Sequence, residues 1–127
     1  MTPPSWVRGI RGATTVEDDT AELVLAATHE LLVTMLEANG IDDFEPIAAI
    51  FFTTTPDLRS TFPAEAARAL GMTMVPMLCN LEIPVPGRLE RAVRVMLQIN
   101  TTKRQEEIRH VYLRGAVVLR PDLVSAQ

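Results

Sequence analysis

The chain has 127 residues, of which 47% are hydrophobic and 22% are charged, and its formal net charge is −4. This composition predicts one folded domain spanning residues 1–127 and excludes a disordered chain. The negative charge argues against non-specific binding to nucleic acid, which needs a basic surface. No apolar run is long enough to span a membrane, so no membrane partner is expected.

The single cysteine, Cys79, excludes an intramolecular disulfide bond. The positions of Cys79, His29 and His110 match no metal-binding spacing, so no metal and no cofactor are expected. The first five residues lack the charged and then apolar signature of a signal peptide. We therefore expect a cytoplasmic protein whose ends, residues 1–5 and 124–127, are flexible.

The first predicted element is a strand from Trp6 to Val16, where Val, Ile and Thr are frequent. Gly9 and Gly12 interrupt this pattern. Glycine inside a strand often marks a bulge or the close approach of another group. The strand is therefore expected to lie close to a neighbouring element or to a ligand.

A helix is predicted next, ending near Ala38. Asp19 and Glu22 have the spacing of a capping box at its start, and Asn39-Gly40 is typical of a helix end. The apolar residues repeat at helical spacing, which predicts one buried stripe. Its members are Leu23, Val24, Ala27, Leu31 and Met35.

Two more strands and a short helix are predicted in the middle of the chain. The strand from Ile47 to Thr54 is apolar on both faces, so it is expected to be central and covered on both sides. The helix runs from Phe62 to Gly71, with Pro63 suited to its first turn. The strand from Met74 to Leu81 follows.

A fourth strand is predicted from Leu89 to Thr101, and a last helix from there to about Val118. Thr102 and Gln105 have capping-box spacing for that helix. This order of elements predicts an α+β fold, a mixed β-sheet with helices packed on one side. The short, apolar sheet edges favour self-association.

Arg94 lies in the middle of the fourth predicted strand. Its odd-numbered neighbours form one apolar face, and Arg94 points to the other face. A guanidinium cannot lose its charge, so burying it without a partner is costly. Arg94 therefore lies at a solvated edge, pairs with an internal acid, or binds an anionic ligand.

Common catalytic motifs are absent from the sequence. It contains no glycine-rich phosphate loop and no G-x-S-x-G nucleophile motif, and neither histidine pairs with a nucleophile in a known pattern. What remains is a set of arginines together with Glu82, Cys79 and Tyr112. An enzyme built from these residues would use little general-base or covalent chemistry.

Seven short segments, spread in order from Trp6 to Leu123, fit one known pattern. They are Arg8–Val16, Thr55–Leu58, Phe62–Ala64, Val75-Pro76, Arg94–Met96, Ile108–Leu113 and Leu119–Leu123. Together they resemble the AroH class of chorismate mutases. Several segments that match in the right order are a stronger signal than any one of them alone.

The resemblance implies a homotrimer with a pseudo-α/β-barrel core and with active sites in clefts between adjacent subunits. The implied reaction converts chorismate to prephenate in aromatic amino-acid biosynthesis. This is a unimolecular pericyclic rearrangement in which nothing is deprotonated, in keeping with the missing bases and nucleophiles. The enzyme must hold a dianion in a compact conformer and stabilise charge that develops on the ether oxygen.

Catalytic roles follow from the resemblance for three residues. Arg94 would hydrogen-bond the ether oxygen as the bond breaks. Arg11 would bind a substrate carboxylate through two hydrogen bonds, and Glu82 would accept a hydrogen bond from the substrate hydroxyl. Tyr112, placed on the predicted last helix, would bind a carboxylate. Cys79 would contact the substrate hydroxyl or ether, although a free cysteine is equally a small core residue.

Five further substrate-binding positions come from the same resemblance. Phe62 and Arg68 match the wall and rim of the pocket, and Ala64 belongs to the same segment. Leu119 matches a wall residue. Arg120 matches a residue that reaches a carboxylate, although a solvated arginine near the end of the chain would look the same.

Some features of the sequence leave alternatives open. Glu65 stands where some members of the class carry lysine, which puts a basic contact at the rim in doubt. A YjgF-type trimeric enzyme or carboxylate-binding protein would need only one arginine in its cleft. A non-catalytic trimeric scaffold would use Arg94 only to pair with an acid across the interface.

Overall fold

The structure is a computed structural model, and it describes residues 4–119. Five strands and two helices are joined by short loops, and two 3-10 turns follow the fourth strand. The strands are β1 Trp6–Thr15, β2 Ile47–Thr54, β3 Met77–Leu81, β4 Ala92–Thr101 and β5 Val111–Tyr112; the helices are α1 Ala21–Ala38 and α2 Ala64–Ala69; the 3-10 turns are Gln105–Glu107 and Arg114–Leu119.

The strands form one mixed sheet in the order β3-β2-β4-β1-β5. β4 lies in the centre and runs antiparallel to β1 and to β2. The outer strands β3 and β5 run parallel to β2 and β1, respectively. The predicted α+β fold with a mixed sheet is therefore confirmed.

One face of the sheet carries the core. In register, Ile10 of β1 and Ile50 of β2 lie opposite Leu97 of β4, and all three are buried. Both helices contribute to the same apolar cluster, with residues such as Leu31 of α1 and Ala67 of α2. The helices thus pack on one side, as the sequence predicted, and we call this side of the sheet the helix face.

Gly12 brings β1 close to α1. A Cβ atom at this position would lie 2.3 Å from the Sδ of Met35 and 3.2 Å from the Cδ1 of Leu31. Real Cβ atoms do not approach other atoms so closely, so a larger residue would displace the helix or its side chains. The interruption in the first strand therefore marks helix-to-sheet packing.

The start of α1 differs from the prediction. The N-cap is Thr20, whose hydroxyl accepts the N–H of Leu23 at 3.2 Å. Asp19 instead accepts the backbone N–H groups of Arg59 and Ser60 at 3.0 and 3.1 Å. A hydrogen bond from the Ser60 side chain, together with these two backbone bonds, lowers the pKa of the Asp19 carboxyl group. Asp19 therefore ties the loop at residues 59–60 to the start of the helix.

The buried stripe of α1 is also shifted. Leu23 was predicted to be inside but is 39% exposed. Three predicted members that are spaced four residues apart, Ala27, Leu31 and Met35, are buried as expected. The full buried set is Val24, Ala27, Thr28, Leu31, Leu32, Met35 and Leu36. The helix ends at Asn39 and Gly40 as predicted, with Gly40 in the left-handed region at φ 64°.

The prediction that β2 is covered on both sides is wrong for the single chain. Its helix-face residues Ile50 and Phe52 are fully buried. On the other face, Phe51 and Thr53 are only half-buried. That face of the sheet has no helix over it in the described residues, and we call it the open face.

The predicted last helix is wrong. Its place is taken by β5 and the two 3-10 turns. β5 adds to the free edge of β1, where the N–H of Leu113 donates to the carbonyl of Ala13 at 2.9 Å. The Asn39 side chain also bonds both the N–H and the carbonyl of Arg109, at 2.9 Å each. These non-local partners outweigh the local helical pattern.

Two strands begin later than predicted. β3 begins at Met77, directly after Pro76, which has no N–H to give to a sheet. β4 begins at Ala92, after Arg91 in the left-handed region at φ 44°. The Asp57 carboxylate accepts the N–H of Arg91 at 3.0 Å and so holds this turn.

Residues outside 4–119 include most of the segments that were predicted to be flexible. Residues 1–3 and 124–127 lie outside the described part of the chain, and Pro4 and Ser5 are exposed and precede β1. Within residues 4–119, no helix has both the length and the apolar character that crossing a membrane requires.

Candidate active site

Arg94 lies at the centre of the open face. Its register partners are Ala13 on β1 and Thr53 on β2. Ala13 in turn lies opposite Tyr112 of β5. Because residues two apart along a strand share a face, Arg11 lies on this face as well. The sheet therefore brings two arginines and a tyrosine, predicted from the sequence as site residues, to one surface.

Glu82 pairs with Arg94. An Arg94 Nη1 donates to the Glu82 Oε1 at 3.2 Å, and the Thr53 hydroxyl donates to the other carboxylate oxygen. Glu82 follows β3, and its backbone N–H donates to the carbonyl of Thr54 at 2.8 Å. The Arg94 and Glu82 side chains are only 30% and 22% exposed. Of the three explanations offered for Arg94, pairing with an internal acid is therefore observed in the single chain.

The pair leaves Arg94 able to bind more. A guanidinium has five N–H donors in a fixed plane, and Glu82 takes one of them. Arg94 and Glu82 also line two cavities. Arg94 can therefore keep its partner and still donate to an anionic or ether oxygen in either cavity.

The first cavity has a volume of about 170 Å³. Its polar lining consists of Arg11, Thr53, Glu82, Arg94 and Tyr112, and Phe51 and Met96 supply apolar surface. The second, of about 300 Å³, extends from Arg94 and Glu82 to Leu119. The structure thus brings together five predicted site residues, namely Arg94, Glu82, Arg11, Tyr112 and Leu119.

A wider depression of about 1100 Å³ adjoins the second cavity. Arg91 and Arg114 lie along it, but each is engaged elsewhere. The Arg91 Nε donates to the carbonyl of Val16 at 3.0 Å, and the Arg114 Nε pairs with Glu30 at 3.2 Å. Arg91 and Arg114 therefore serve the fold.

Two residues that the sequence reasoning did not assign complete the surroundings. Thr53 orients the Glu82 carboxylate, and His110 accepts the backbone N–H of Arg11 at its Nδ1, at 2.9 Å. Thr53 stands out only when the register of β2 against β4 is known. His110 carried no signal, because it was placed on a predicted helix.

The other predicted site residues lie apart from Arg94 in the single chain. Phe62 is 68% exposed just before α2, and Arg68 pairs with Glu65 on the exposed side of α2. Ala64 is buried in the core. Cys79 packs against the core on the helix face, opposite the buried Phe52. None of these four lines either cavity beside Arg94, and Arg120 lies outside the described residues.

The described residues also bear on metal chemistry. Within residues 4–119, no group of three or more His, Cys, Asp and Glu side chains is arranged to hold a metal ion. The open-face cluster contains one carboxylate and two guanidinium groups, which suits an anionic ligand and not a cation.

Comparison with known proteins shows which family the chain belongs to. Residues 7–123 match the family described as chorismate mutase type I. The chain belongs to the type I chorismate mutase family. It is 61% identical over 121 residues to the chorismate mutase AroH of Thermus thermophilus, a match that covers 95% of this chain and 99% of that protein.

Two further similarities point the same way. The chain is 48% identical over 118 residues to the chorismate mutase AroH of Bacillus subtilis strain 168, covering 92% of each protein. Its fold matches the structure of a chorismate mutase from Clostridium thermocellum with a TM-score of 0.86 and 50% identity, covering 88% of this chain and 99% of that one.

The activity follows from this family membership. The protein is a chorismate mutase, an isomerase that converts chorismate to prephenate in aromatic amino-acid biosynthesis. The resemblance noted in the sequence is thus confirmed. The YjgF-type reading and the scaffold reading are set aside, since the family match covers almost the whole chain.

Proposed function

We propose that the open-face cluster around Arg94 is where this chorismate mutase binds and rearranges its substrate. The observation that carries the proposal is the half-buried Arg94–Glu82 pair, which lines two cavities and shares one of them with Arg11 and Tyr112. The cluster holds positive charge for a dianion and has no strong base within it. That combination suits a rearrangement in which no proton moves.

Arg94 donates to the ether oxygen of chorismate in this proposal. Negative charge grows on that oxygen as its bond to carbon lengthens, so a fixed cation binds the transition state more strongly than the ground state. Glu82 and the sheet hold the guanidinium in place before the substrate arrives. No reorganisation of Arg94 is then needed during the reaction.

The neighbouring polar residues hold the reacting conformer. Arg11 and Tyr112 bind carboxylate oxygens, and the Glu82 carboxylate accepts a hydrogen bond from the ring hydroxyl. The Thr53 hydroxyl, which donates to Glu82, fixes the rotamer of that carboxylate. Holding the two ends of the substrate together lowers the entropic part of the barrier.

We propose that the site is completed by an adjacent subunit of a homotrimer. Phe62 and Arg68 are exposed and lie away from Arg94 within one chain, so a neighbouring copy is the source from which they would reach a shared cleft. Large apolar side chains are exposed beside that cleft, at Leu78, Leu81, Ile83 and Val85. An exposed apolar set of this kind favours burial against another copy.

The remaining predicted positions have supporting roles in the same proposal. Leu119 forms a wall of the cavity below Arg94, and Arg120 reaches a carboxylate from the segment after it. Ala64 keeps the start of α2 close to the core, so that Phe62 is presented outward. Cys79 lies on the helix face of β3 in the single chain, and its contact with the substrate hydroxyl or ether stays a prediction. The proposed location of the enzyme is the cytoplasm.

Replacing Arg94 by lysine tests whether the geometry of the guanidinium matters. Lysine keeps the charge but loses the planar fork that reaches Glu82 and the ether oxygen together. We expect Arg94→Lys to recover little of the activity that is lost in Arg94→Ala, measured as chorismate turnover. Turnover by Arg94→Lys close to that of the unchanged protein would show that charge alone is enough and would overturn this role.

A further inference from the structure

His110 holds the backbone of Arg11. Its Nδ1 accepts the Arg11 N–H at 2.9 Å, on the edge of β1 that β5 joins. Two residues further on, the ladder continues with the bond from Leu113 to the carbonyl of Ala13. The imidazole thus takes the place of one more strand residue and satisfies an N–H group that β5 itself does not reach.

The chain fixes His110 from the other side as well. The side chain of Asn39, at the end of α1, bonds both the N–H and the carbonyl of Arg109 at 2.9 Å, and also the carbonyl of Met35 at 2.8 Å. Asn39 is only 5% exposed. Since Arg109 directly precedes His110, the end of α1 sets where the imidazole meets β1.

The bond to Arg11 needs a neutral imidazole. Nδ1 can accept only when it carries no proton, and a protonated ring would offer a donor where an acceptor is required. The desolvation of the ring, and secondly the positive charge of Arg11, lower the pKa of His110 below its ordinary value of 6.5. The residue is exposed to solvent elsewhere, so the ring can take up a proton at acid pH.

Among the described residues, the charge that acts on the ring comes from Arg11 of β1. The segment of His110 itself carries the titratable side chains of Arg109 and Tyr112. Helix α1 reaches this segment through the uncharged side chain of Asn39, which bonds the backbone of Arg109. Arg114, on the 3-10 turn after β5, is paired with Glu30 of α1. Two features disfavour protonation of His110: the positive charge of Arg11 and the Arg11 N–H group, which faces Nδ1 and cannot accept a proton from it.

We propose that His110 is a positioning residue that orients Arg11 towards the substrate carboxylate, and that it does so only as a neutral imidazole. The inference rests on the proposed role of Arg11 in substrate binding. Substrate binding by Arg11 then depends on His110, a side chain that does not itself contact the substrate. Protonation of His110 breaks its hydrogen bond to the Arg11 N–H, so the orientation of the Arg11 guanidinium is less well fixed.

Two substitutions separate the hydrogen bond from the ring. His110→Ala removes the acceptor, and His110→Asn keeps an acceptor oxygen near the position of Nδ1. We expect His110→Ala to lower kcat/KM about tenfold, mostly through a higher KM, because small misplacements of binding groups are costly. We expect His110→Asn to stay within about threefold of the unchanged protein. Normal kcat/KM in His110→Ala would overturn the proposal.

A double-mutant cycle with Arg11→Ala shows whether His110 acts through Arg11. If it does, His110→Ala causes no further loss once Arg11 is gone. An equal loss in both backgrounds would mean a general structural role and would overturn the proposal. If Arg11→Ala alone leaves KM unchanged, the proposed function of Arg11 has failed, and that result is separate from any effect of His110.

The pH dependence gives a readout that does not depend on how well His110→Ala folds. We expect kcat/KM of the unchanged protein to fall as the pH drops below the ordinary histidine range, and this fall to vanish in His110→Asn. The other histidine, His29, lies on α1 away from the site and provides the matched control. A fall that persists in His110→Asn, or that disappears in His29→Gln, would contradict the role of His110.

Discussion

At the scale of single residues, the half-buried pair of Arg94 and Glu82 is the feature on which the proposed site depends. A guanidinium at this position needs an acid, and Glu82 supplies one from its own chain at 3.2 Å. Glu82 is in turn held by Thr53 and by its own backbone N–H. The pair is therefore a structural ion pair, and in the proposed site it is also a preorganised donor for the substrate.

Replacing Glu82 by glutamine should impair this arrangement. Glutamine keeps the shape but removes the charge, and it puts an NH₂ group where either Arg94 or Thr53 now donates to a carboxylate oxygen. A charge-assisted hydrogen bond is worth about 2 kcal/mol, so we expect turnover of chorismate to fall roughly 30-fold. Thr53→Val, which leaves the charge of Glu82 intact, should cost less. A larger loss in Thr53→Val than in Glu82→Gln would contradict this account.

Some residues of the proposed site can be recognised in the sequence alone, and others only once the pairing of the strands is known. Arg94 stands out alone, since a charge in an apolar strand demands an explanation. Arg11 and Glu82 were found through the family resemblance. Thr53 and His110 could not be found, because their roles depend on which strands pair and in which register. A register is set by non-local contacts that one strand's pattern does not contain.

At the scale of elements, the contact of Gly12 with α1 sets how closely the helix approaches the sheet. Arg11, a predicted site residue, and Ala13 flank Gly12 and lie on the open face. A shift of α1 against β1 would therefore move the strand that carries Arg11. Packing on the helix face and geometry on the open face are coupled through this one strand.

Gly12→Ala should destabilise the fold. The new methyl group would overlap the Sδ of Met35, which is fully buried and has little room to move. Overpacking of a core costs about 1–3 kcal/mol, measurable as a lower urea midpoint at fixed protein concentration. Gly9→Ala is the matched control, since its methyl group would meet the more exposed Met96 at 3.0 Å. An equal midpoint for both variants would contradict the close helix contact.

Helices and strands with a strong local sequence pattern were predicted correctly, whereas a segment held by distant partners was not. β1, α1, β2 and α2 have strong local patterns, and their existence and order were predicted correctly. The segment after β4 was predicted as a helix but forms β5 and two 3-10 turns. Its partners, the free edge of β1 and the side chain of Asn39, are far away in sequence. No local pattern could reveal them.

At the scale of the whole molecule, the open face suggests how copies of the chain assemble. The helix face is closed by α1 and α2, and the open face carries half-buried apolar residues such as Phe51 beside the polar cluster. The predicted residues Phe62 and Arg68 are exposed at a distance from that cluster. A trimer with shared clefts would account for both features.

Mixing two impaired variants tests the proposed shared cleft. Arg94→Ala subunits lack the proposed catalytic arginine, and Arg68→Ala subunits lack the proposed rim residue of the neighbouring site. After joint unfolding and refolding, mixed trimers of the 14.0 kDa chain should contain some clefts with both arginines intact. We expect the mixture to exceed the summed turnover of the two variants refolded separately. No gain, or a monomer by light scattering, would contradict a site built from two subunits.

The most direct test of the central claim is the turnover of chorismate by Arg94→Ala. The control is Arg104→Ala, which removes an exposed arginine that pairs only with the nearby Glu106 among the described residues. We expect Arg94→Ala to lose on the order of 10³-fold in turnover, about 4 kcal/mol, while Arg104→Ala stays near normal. A folded Arg94→Ala protein that forms prephenate at the rate of the control would contradict the assignment of this site.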